Sequence, residues 1–340
     1  MGRTRSICTP LNPPQKKPKP PARQRTVDAE LAGQRLDNFL LGSLKGVPRS
    51  HVYRLIRSGQ VRVNSGRVTP SYRLQAGDRV RVPPVAERRT TPLVPHDGGL
   101  DWLNDRIVFE DSRLIVVDKP SGLAAHGGSG VSLGCIEALR ALRPELHHLE
   151  LVHRLDRATS GCLLVAKRRS ALRSLHTLLR EGRVEKRYFT LVKGQWLKGT
   201  ADIDAPLLTQ RGDGEARVKV DPAGKPARSS FRLLEHVGTL ASFLEVQIAT
   251  GRTHQIRVHA AHSGHPVAGD DRYGDRDFNA LLEDFGLHRM FLHAHSIAFT
   301  WPDSAEEFSV SVPLAAELTQ VLNALQEAAH SEQAGRSRRR

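Results

Sequence analysis

From residue 107 to residue 312 the apolar side chains fall at a period of two or in short unbroken runs, and only a few stretches switch to helical spacing. That pattern limits the fold more than any other feature. It predicts strands over 107–109, 114–117, 163–165, 188–192, 216–220, 229–234, 240–248, 292–300 and 308–312. Leu133, Ile136, Leu139 and Leu142 mark one helix, Leu172, Leu175, Leu178 and Leu179 a second, and a third closes the segment over 314–327. Strands this numerous, without a helix after each, exclude regular βαβ alternation. The expectation for 101–327 is an α+β domain with a mixed, largely antiparallel sheet and flanking helices.

A smaller unit precedes it over 26–83. Leu36, Phe39 and Leu40 recur at helical spacing, and so do Val52, Leu55 and Ile56 after the start signal Pro48-Arg49-Ser50. After Gly59 the period becomes two, with Val61, Val63, Val68, Val80 and Val82 on short strands broken by the Asn64-Ser65-Gly66 turn. Arg49, Arg54, Arg57, Arg62, Arg67, Arg73, Arg79 and Arg81 occupy positions that the apolar pattern leaves outside. A solvated basic face is the plain reading, but few acids balance these arginines and RNA contact fits them better. A Pro-, Arg- and Gly-rich stretch over 84–100 reads as a linker. Residues 1–25, basic and proline-rich without an acid, read as a disordered arm, and 328–340 as a basic tail.

The formal net charge of +15 points to a polyanionic partner, because lysines and arginines that neutralise phosphates release counterions. No apolar run approaches the roughly 20 residues that span a bilayer, and no signal-peptide core stands near the start, so a membrane role is not expected. Cys8, Cys135 and Cys162 are odd in number and far apart, which suggests neither a disulfide framework nor a zinc site. A cytoplasmic protein is expected.

Three segments of the larger domain carry candidate chemistry: Asp118-Lys-Pro-Ser-Gly-Leu-Ala-Ala-His126, His153-Arg-Leu-Asp-Arg-Ala-Thr-Ser-Gly161 and Gly251-Arg-Thr-His-Gln-Ile-Arg-Val-His259. Gly127-Gly128-Ser129-Gly130 lacks the spacing of a phosphate-cradling loop and reads as a turn. Ser160 is not in a GxSxG elbow, which argues against serine nucleophile chemistry. His254, His259, His262 and His265 come without an HExxH pattern or a nearby cysteine, so no metal is expected. Asp156 lies between two arginines just before an apolar strand, in a loop at a sheet mouth where functional groups are often presented. A carboxylate capping a turn is the structural alternative.

His153-Arg-Leu-Asp156-x-x-Thr159-Ser-Gly161 resembles the signature of the RluA-type pseudouridine synthases. The resemblance continues through Lys119-Pro-Ser-Gly122, Glu185-Lys-x-Tyr188, Thr250-Gly-Arg-Thr-His-Gln-Ile-Arg257 and Phe291-Leu-His-Ala294, and so covers nearly all of 101–326. The front unit resembles the S4 RNA-binding module. What these resemblances imply is an isomerase that converts uridines of 23S ribosomal RNA, or its precursor, to pseudouridine. The N1–C1′ bond breaks, the uracil turns, and C5 joins C1′. No redox change or group donor is needed, so no cofactor is expected; a monomer is. Asp156 would be the essential carboxylate, adding to C1′ or removing the 2′ proton. Arg257 would pair with it, a guanidinium being able to grip a carboxylate through two parallel N–H bonds. Tyr188 would stack on the uracil near C5, Leu292 would wall the pocket, and Arg154 would fill the space left by the flipped uridine. Arg49, Arg54 and Arg57 would contact RNA from the S4-like unit.

Two other classes stay open on residues alone. One is a non-catalytic RNA-binding or ribosome-assembly factor on the same fold. The other is a metal-dependent RNA nuclease drawing on the histidines, for which Asp270 and Asp271 are the nearby acids.

Overall fold

The structure, a computed structural model, describes residues 22–44, 47, 49–84, 99–127, 133–210 and 217–337. The chain divides into two compact units, Met1–Pro92 and Leu93–Arg340. In the first, strand β1 (Arg23–Thr26), helices α1 (Leu36–Ser43) and α2 (Arg49–Arg57), and strands β2 (Arg62–Val63) and β3 (Arg79–Val82) follow in order. The antiparallel sheet runs β1-β3-β2. Leu36, Phe39 and Leu40 of α1 and Val52, Leu55 and Ile56 of α2 bury their stripe on Val63, Val80 and Val82. Asp37 ties the two helices together by accepting from Arg35 and from Tyr53 Oη at 2.8 Å. Asn64 and Ser65 have positive φ of 48° and 68°, as a two-residue hairpin loop of type I′ requires, and Val63 and Gly66 exchange both hydrogen bonds across it.

One boundary and one strand residue of this unit differ from expectation. The arm expected over 1–25 overlaps β1, because Arg23 and Arg25 belong to that strand, paired with Val82 and Val80; residues 1–21 lie outside the described residues. A four-residue edge strand with every side chain exposed shows no alternation to read. Val68, expected on a strand, is on none. Of the stretch expected to link the units, 85–98 also lies outside the described residues.

The second unit opens with a 3₁₀ turn, Asp101–Arg106, then β4 (Ile107–Glu110), β5 (Leu114–Lys119), α3 (Cys135–Leu142), β6 (Glu150–Leu151), β7 (Ser160–Ala166) and α4 (Arg169–Arg180). Next come β8 (Glu185–Lys193), β9 (Thr200–Asp204), β10 (Leu207–Gln210), β11 (Arg217–Val220), β12 (Arg228–Val237) and β13 (Ala241–Ile248). Helices α5 (Gln255–His262) and α6 (Arg276–Glu283), strands β14 (Leu292–Thr300) and β15 (Glu307–Ser311), and helix α7 (Ala316–Ser337) complete it. The ten-stranded sheet runs β4-β5-β7-β14-β8-β13-β12-β9, with β15 on β14 and β6 on β7; β10 and β11 form a separate pair. Only β7 and β14 run parallel among these pairings, so the fold is α+β with a mixed, mostly antiparallel sheet.

Both faces of the central strands are covered, which explains their unbroken apolar runs. On β5 and β7, Ile115, Val117, Leu163 and Val165 point to one core with Tyr188 and Leu292, while Leu114, Val116, Cys162 and Leu164 pack on Leu175 and Leu178 of α4. Helix α7 passes the expected end near residue 327 and reaches Ser337, so the tail expected over 328–340 is helical that far. Residues 328–337 hold no proline and several good helix formers, and so the helix continues after its buried stripe ends at Leu325. Helix α5 escaped the apolar pattern for the opposite reason: it is buried on all sides along 255–260, so it has no polar face to set a 3.6 period.

Candidate active site

Asp156 sits in the loop between β6 and β7, and the segment after β5 holds that loop. Arg157 O accepts from Gly122 N at 2.8 Å and from Lys119 Nζ at 3.2 Å, and Ala158 O accepts from Ser121 Oγ at 2.8 Å. Lys119 is fully buried, and its ammonium donates also to the carbonyls of Pro120 and Leu123. Burial pushes its pKa down to about 8. From the other side Arg289 donates to Ser160 Oγ at 2.7 Å while pairing with Glu317. Gly161 makes the descent into β7 possible. Its φ is +104°, and a Cβ there would lie 2.2 Å from Ala294 O on the parallel neighbour β14.

Only part of the Asp156 carboxylate is sealed, its side chain being 29% exposed. Arg257 Nη1 donates to Oδ2 at 3.2 Å, and His254 Nε2 stands 3.9 Å from the same oxygen. The expected two-bond grip on Asp156 is not there. Arg257 spends its paired bonds on Asp270 instead, donating from Nε to Oδ2 at 2.6 Å and from Nη2 to Oδ1 at 2.8 Å. Asp270 is 2% exposed and also accepts from the backbone N–H groups of Arg272 and Tyr273. Burial by itself would raise its pKa, but the bonds and charge of Arg257 outweigh that and hold it below the usual carboxylate range. For Arg257 burial opposes the charge in turn; Asp270 first and Asp156 second overcome it, so its pKa lies above the ordinary value. Three residues therefore stand in line: a buried acid fixes the arginine, and an Nη1 N–H of the arginine holds the accessible acid.

His254 begins α5 in the left-handed region at φ 54°, where a non-glycine residue is strained. Its Nδ1 meets Tyr273 Oη at 2.8 Å, and that oxygen already accepts from Val218 N. A Tyr273 hydroxyl that donates to Nδ1 leaves neutral His254 with its Nε2 proton facing Asp156. Burial, with the charge of Arg257, holds the imidazole pKa down against the pull of Asp156. The guanidinium of Arg257 lies over the Tyr273 ring, 5.1 Å from its centre.

Tyr188 points from β8 into the same core cluster as Leu155, Ile256 and Leu292, and it is 8% exposed. Burial, then the nearby charge of Asp156, pushes its phenol pKa up, so the hydroxyl stays protonated. Leu292 opens β14 at 4% exposure beside it. Arg154 is exposed two residues from Asp156. The structure thus brings Asp156, Tyr188, Arg257 and Leu292 together, while for Arg154 it shows exposure only. In the first unit Arg54 and Arg57 are exposed on α2, while the side chain of Arg49 lies outside the described residues. Asp270, His254 and Tyr273 were not singled out for this site from sequence. The available signal was Asp270 directly after Val267-Ala-Gly, an acid closing an apolar stretch that needs a buried cation.

Two of the other histidines raised from sequence have structural partners, and His262 is exposed. His259 bonds Ser229 Oγ and Ala205 O, and His265 bonds Lys193 O. Among the described residues no group of three or more His, Cys, Asp or Glu forms a metal-ligand set, and no helix is long and apolar enough to cross a membrane.

Residues 113–262 match the family described as RNA pseudouridylate synthase, and residues 34–80 match the S4 domain. The chain is 51% identical over 305 residues to ribosomal large subunit pseudouridine synthase C of Pasteurella multocida, covering 89% of this chain and 93% of that protein. To the protein of the same name in Escherichia coli K12 it is 50% identical over 307 residues, covering 89% and 96%. Among solved structures, human RNA pseudouridylate synthase domain containing 1 superposes with a TM-score of 0.52 at 29% identity, covering 65% of this chain and 94% of that one. Human RNA pseudouridylate synthase domain containing 4 shares the fold, with a TM-score of 0.56 at 24% identity over 67% and 95%.

Proposed function

The chain belongs to the RNA pseudouridylate synthase family, and from that premise we propose that it isomerises uridines of large-subunit (23S) ribosomal RNA to pseudouridine, with Asp156 as the reacting carboxylate. The arrangement that carries this reading is a part-exposed Asp156 within electrostatic reach of Tyr188, whose ring shares a core cluster with Leu292, and steered by Arg257 on its Asp270 anchor.

The chemistry suits one accessible carboxylate. A glycosidase that hydrolyses its substrate needs a second carboxyl group flanking the bond. Here the second acid, Asp270, is sealed under Arg257 and unable to meet a sugar. Uracil leaves C1′ with the bonding pair on N1 as a delocalised anion, while Asp156 adds to C1′ or takes the 2′ proton. The base turns against the face of Tyr188, because stacking tolerates in-plane rotation. C5 then bonds to C1′ as the Asp156 oxygen leaves that carbon or, on the other route, as Asp156 returns the 2′ proton to C2′; the C5 proton departs and N1 ends protonated, so the product is an isomer. A phenol whose pKa is raised accepts the C5 proton only by passing on its own in the same step. Arg154 takes the place of the extruded uridine and offsets part of an unstacking cost of a few kcal/mol. Arg54 and Arg57, with Arg49, bring phosphate contacts from the first unit. Neither cofactor nor second subunit enters this scheme, and the cytoplasm, where ribosomal RNA is modified, is its setting.

The test is Asp156→Asn. The amide keeps the shape but offers neither nucleophile nor base, so pseudouridine formation in a 23S transcript should vanish while RNA affinity stays within a few-fold of wild type. Measurable turnover by that variant overturns the assignment. A non-catalytic role on the same fold predicts no pseudouridine from the wild-type protein either.

A further inference from the structure

The three-stranded sheet of the first unit has a face that the helices do not cover. Val80 and Val82 of β3 turn inward to α1 and α2, so Arg79 and Arg81 turn outward. The registers build a grid there. Gln24, Arg81 and Arg62 lie side by side across β1, β3 and β2, and the next row holds Thr26 and Arg79, with Asn64 bonded to the Arg79 backbone.

We propose that this outer face is a phosphodiester-binding surface, carried by Arg62, Arg79 and Arg81, that grips RNA backbone independently of α2. The inference rests on the RNA-modifying role proposed above, and it assigns a second RNA contact to the opposite side of the unit. Arg62 and Arg81 are directly opposed across the ladder, an arrangement that destabilises a sheet unless an anion comes between them. No carboxylate among the described residues relieves them. Arg62 donates to the carbonyls of Gly59 and Ser65, Arg81 to Gln60 O and Arg79 to Gln24 Oε1. Asp78, the neighbouring acid, is 5% exposed and already accepts from Asn64, Tyr72 and the backbone of Gln75.

The face is also concave. Gln24, Arg62, Asn64, Ser65, Arg79 and Arg81 line a cavity of about 500 Å³. Its lining contains no apolar residue, and no large hydrophobic side chain is exposed in this unit among the described residues. A protein partner would meet an apolar core at the centre of its interface, whereas a sugar-phosphate strand needs only cations and polar groups. Arg79 and Arg81, two residues apart, stand about 7 Å from each other along the strand. That spacing lets a single backbone lie along β3.

The test measures RNA affinity against salt for the full-length chain carrying Asp156→Asn, with single-stranded poly(U) as probe, so it reads binding whatever becomes of the assigned chemistry. Replacing Arg62, Arg79 and Arg81 by Gln together should lower the slope of log affinity against log salt by about 2, at roughly 0.7 per phosphate on a single strand. The same three changed to Lys should restore it. Removing opposed like charges should leave the melting temperature unchanged or higher. Arg54→Gln with Arg57→Gln should lower the slope further when combined with the Gln triple, because the faces are separate. An unchanged slope in the Gln triple overturns the proposal. So does an unchanged poly(U) slope with lost affinity for polyglutamate, which would turn the face toward an acidic protein. If the triple variant fails to fold, 4-thiouridine in the poly(U) decides on the unsubstituted face: cross-links to peptides spanning 62–65 or 79–81 support the surface, and cross-links confined elsewhere overturn it.

Discussion

Replacing Asp270 by Asn should cripple turnover although Asp270 makes no bond to Asp156, the carboxylate proposed to react. In the wild type Asp270 takes two bonds from Arg257 and two from backbone N–H groups, all at 3.1 Å or less, in a site 2% exposed. The amide keeps one acceptor oxygen and turns an NH₂ toward donors, which leaves Arg257 as a buried cation with half its anchor. Breaking a buried pair costs about 3–5 kcal/mol, and the remaining acceptor puts this change near the lower end. A domain with about 5–15 kcal/mol to spare still folds at 25 °C. At about 2–4 °C per kcal/mol for a unit of this size, the melting temperature should fall by about 6–12 °C. Freed from its anchor, Arg257 shifts, and its single bond at 3.2 Å no longer orients Asp156. A misplacement of about 1 Å costs on the order of 100-fold in turnover. The assay is single-turnover pseudouridine formation at saturating RNA, on protein shown to be folded by calorimetry. RNA affinity should hold within a few-fold. Wild-type turnover in a destabilised variant would mean that Asp270 supports only the fold, and an undisturbed melting temperature would refute the buried-anchor energetics.

Arg257→Lys should lose more than charge retention suggests, because an ammonium meets one carboxylate and cannot bridge Asp270 to Asp156 as the forked guanidinium does; full specific activity per folded molecule would contradict this. Tyr188→Phe keeps the stacking face and removes a hydroxyl already held protonated by burial, so RNA binding should survive while the step that removes the C5 proton slows, and an unchanged rate would deny the hydroxyl a chemical role. Deleting residues 1–83 should weaken RNA binding and flatten its salt dependence; an unchanged slope would show that the S4 unit is not an RNA grip. Lys186, on β8 two residues before Tyr188 and 7% exposed, has its pKa pushed down to about 8 by burial. A folded pKa below the unfolded 10.5 means that the unfolded chain binds more protons between these values, so stability should rise from pH 8 toward 10.5, by about 3 kcal/mol for this group. Lys186→Met should therefore raise the melting temperature at pH 7 and remove that part of the rise, and a pH profile parallel to wild type would refute the assignment.

Much of this protein could be read from its chain because the features concerned are local. Unbroken apolar runs marked β5 and β7, alternation marked much of β8 and β14, and Leu172 to Leu179 marked α4, since the burial of each strand or helix is written into its own spacing. Asp156 was legible because a nine-residue motif surrounds it without a break. Tertiary structure alone decided what holds Asp156. Arg257 is 101 residues away and Asp270 lies 13 beyond that, and no pattern within one segment says which of two acids receives the paired bonds. Burial settled it: Asp270, 2% exposed with backbone N–H groups around it, demands the fuller compensation, and the accessible Asp156 takes one bond, from Nη1. His254 was likewise only a histidine in a motif until the left-handed turn into α5, itself a product of packing, set its ring between Tyr273 and Asp156.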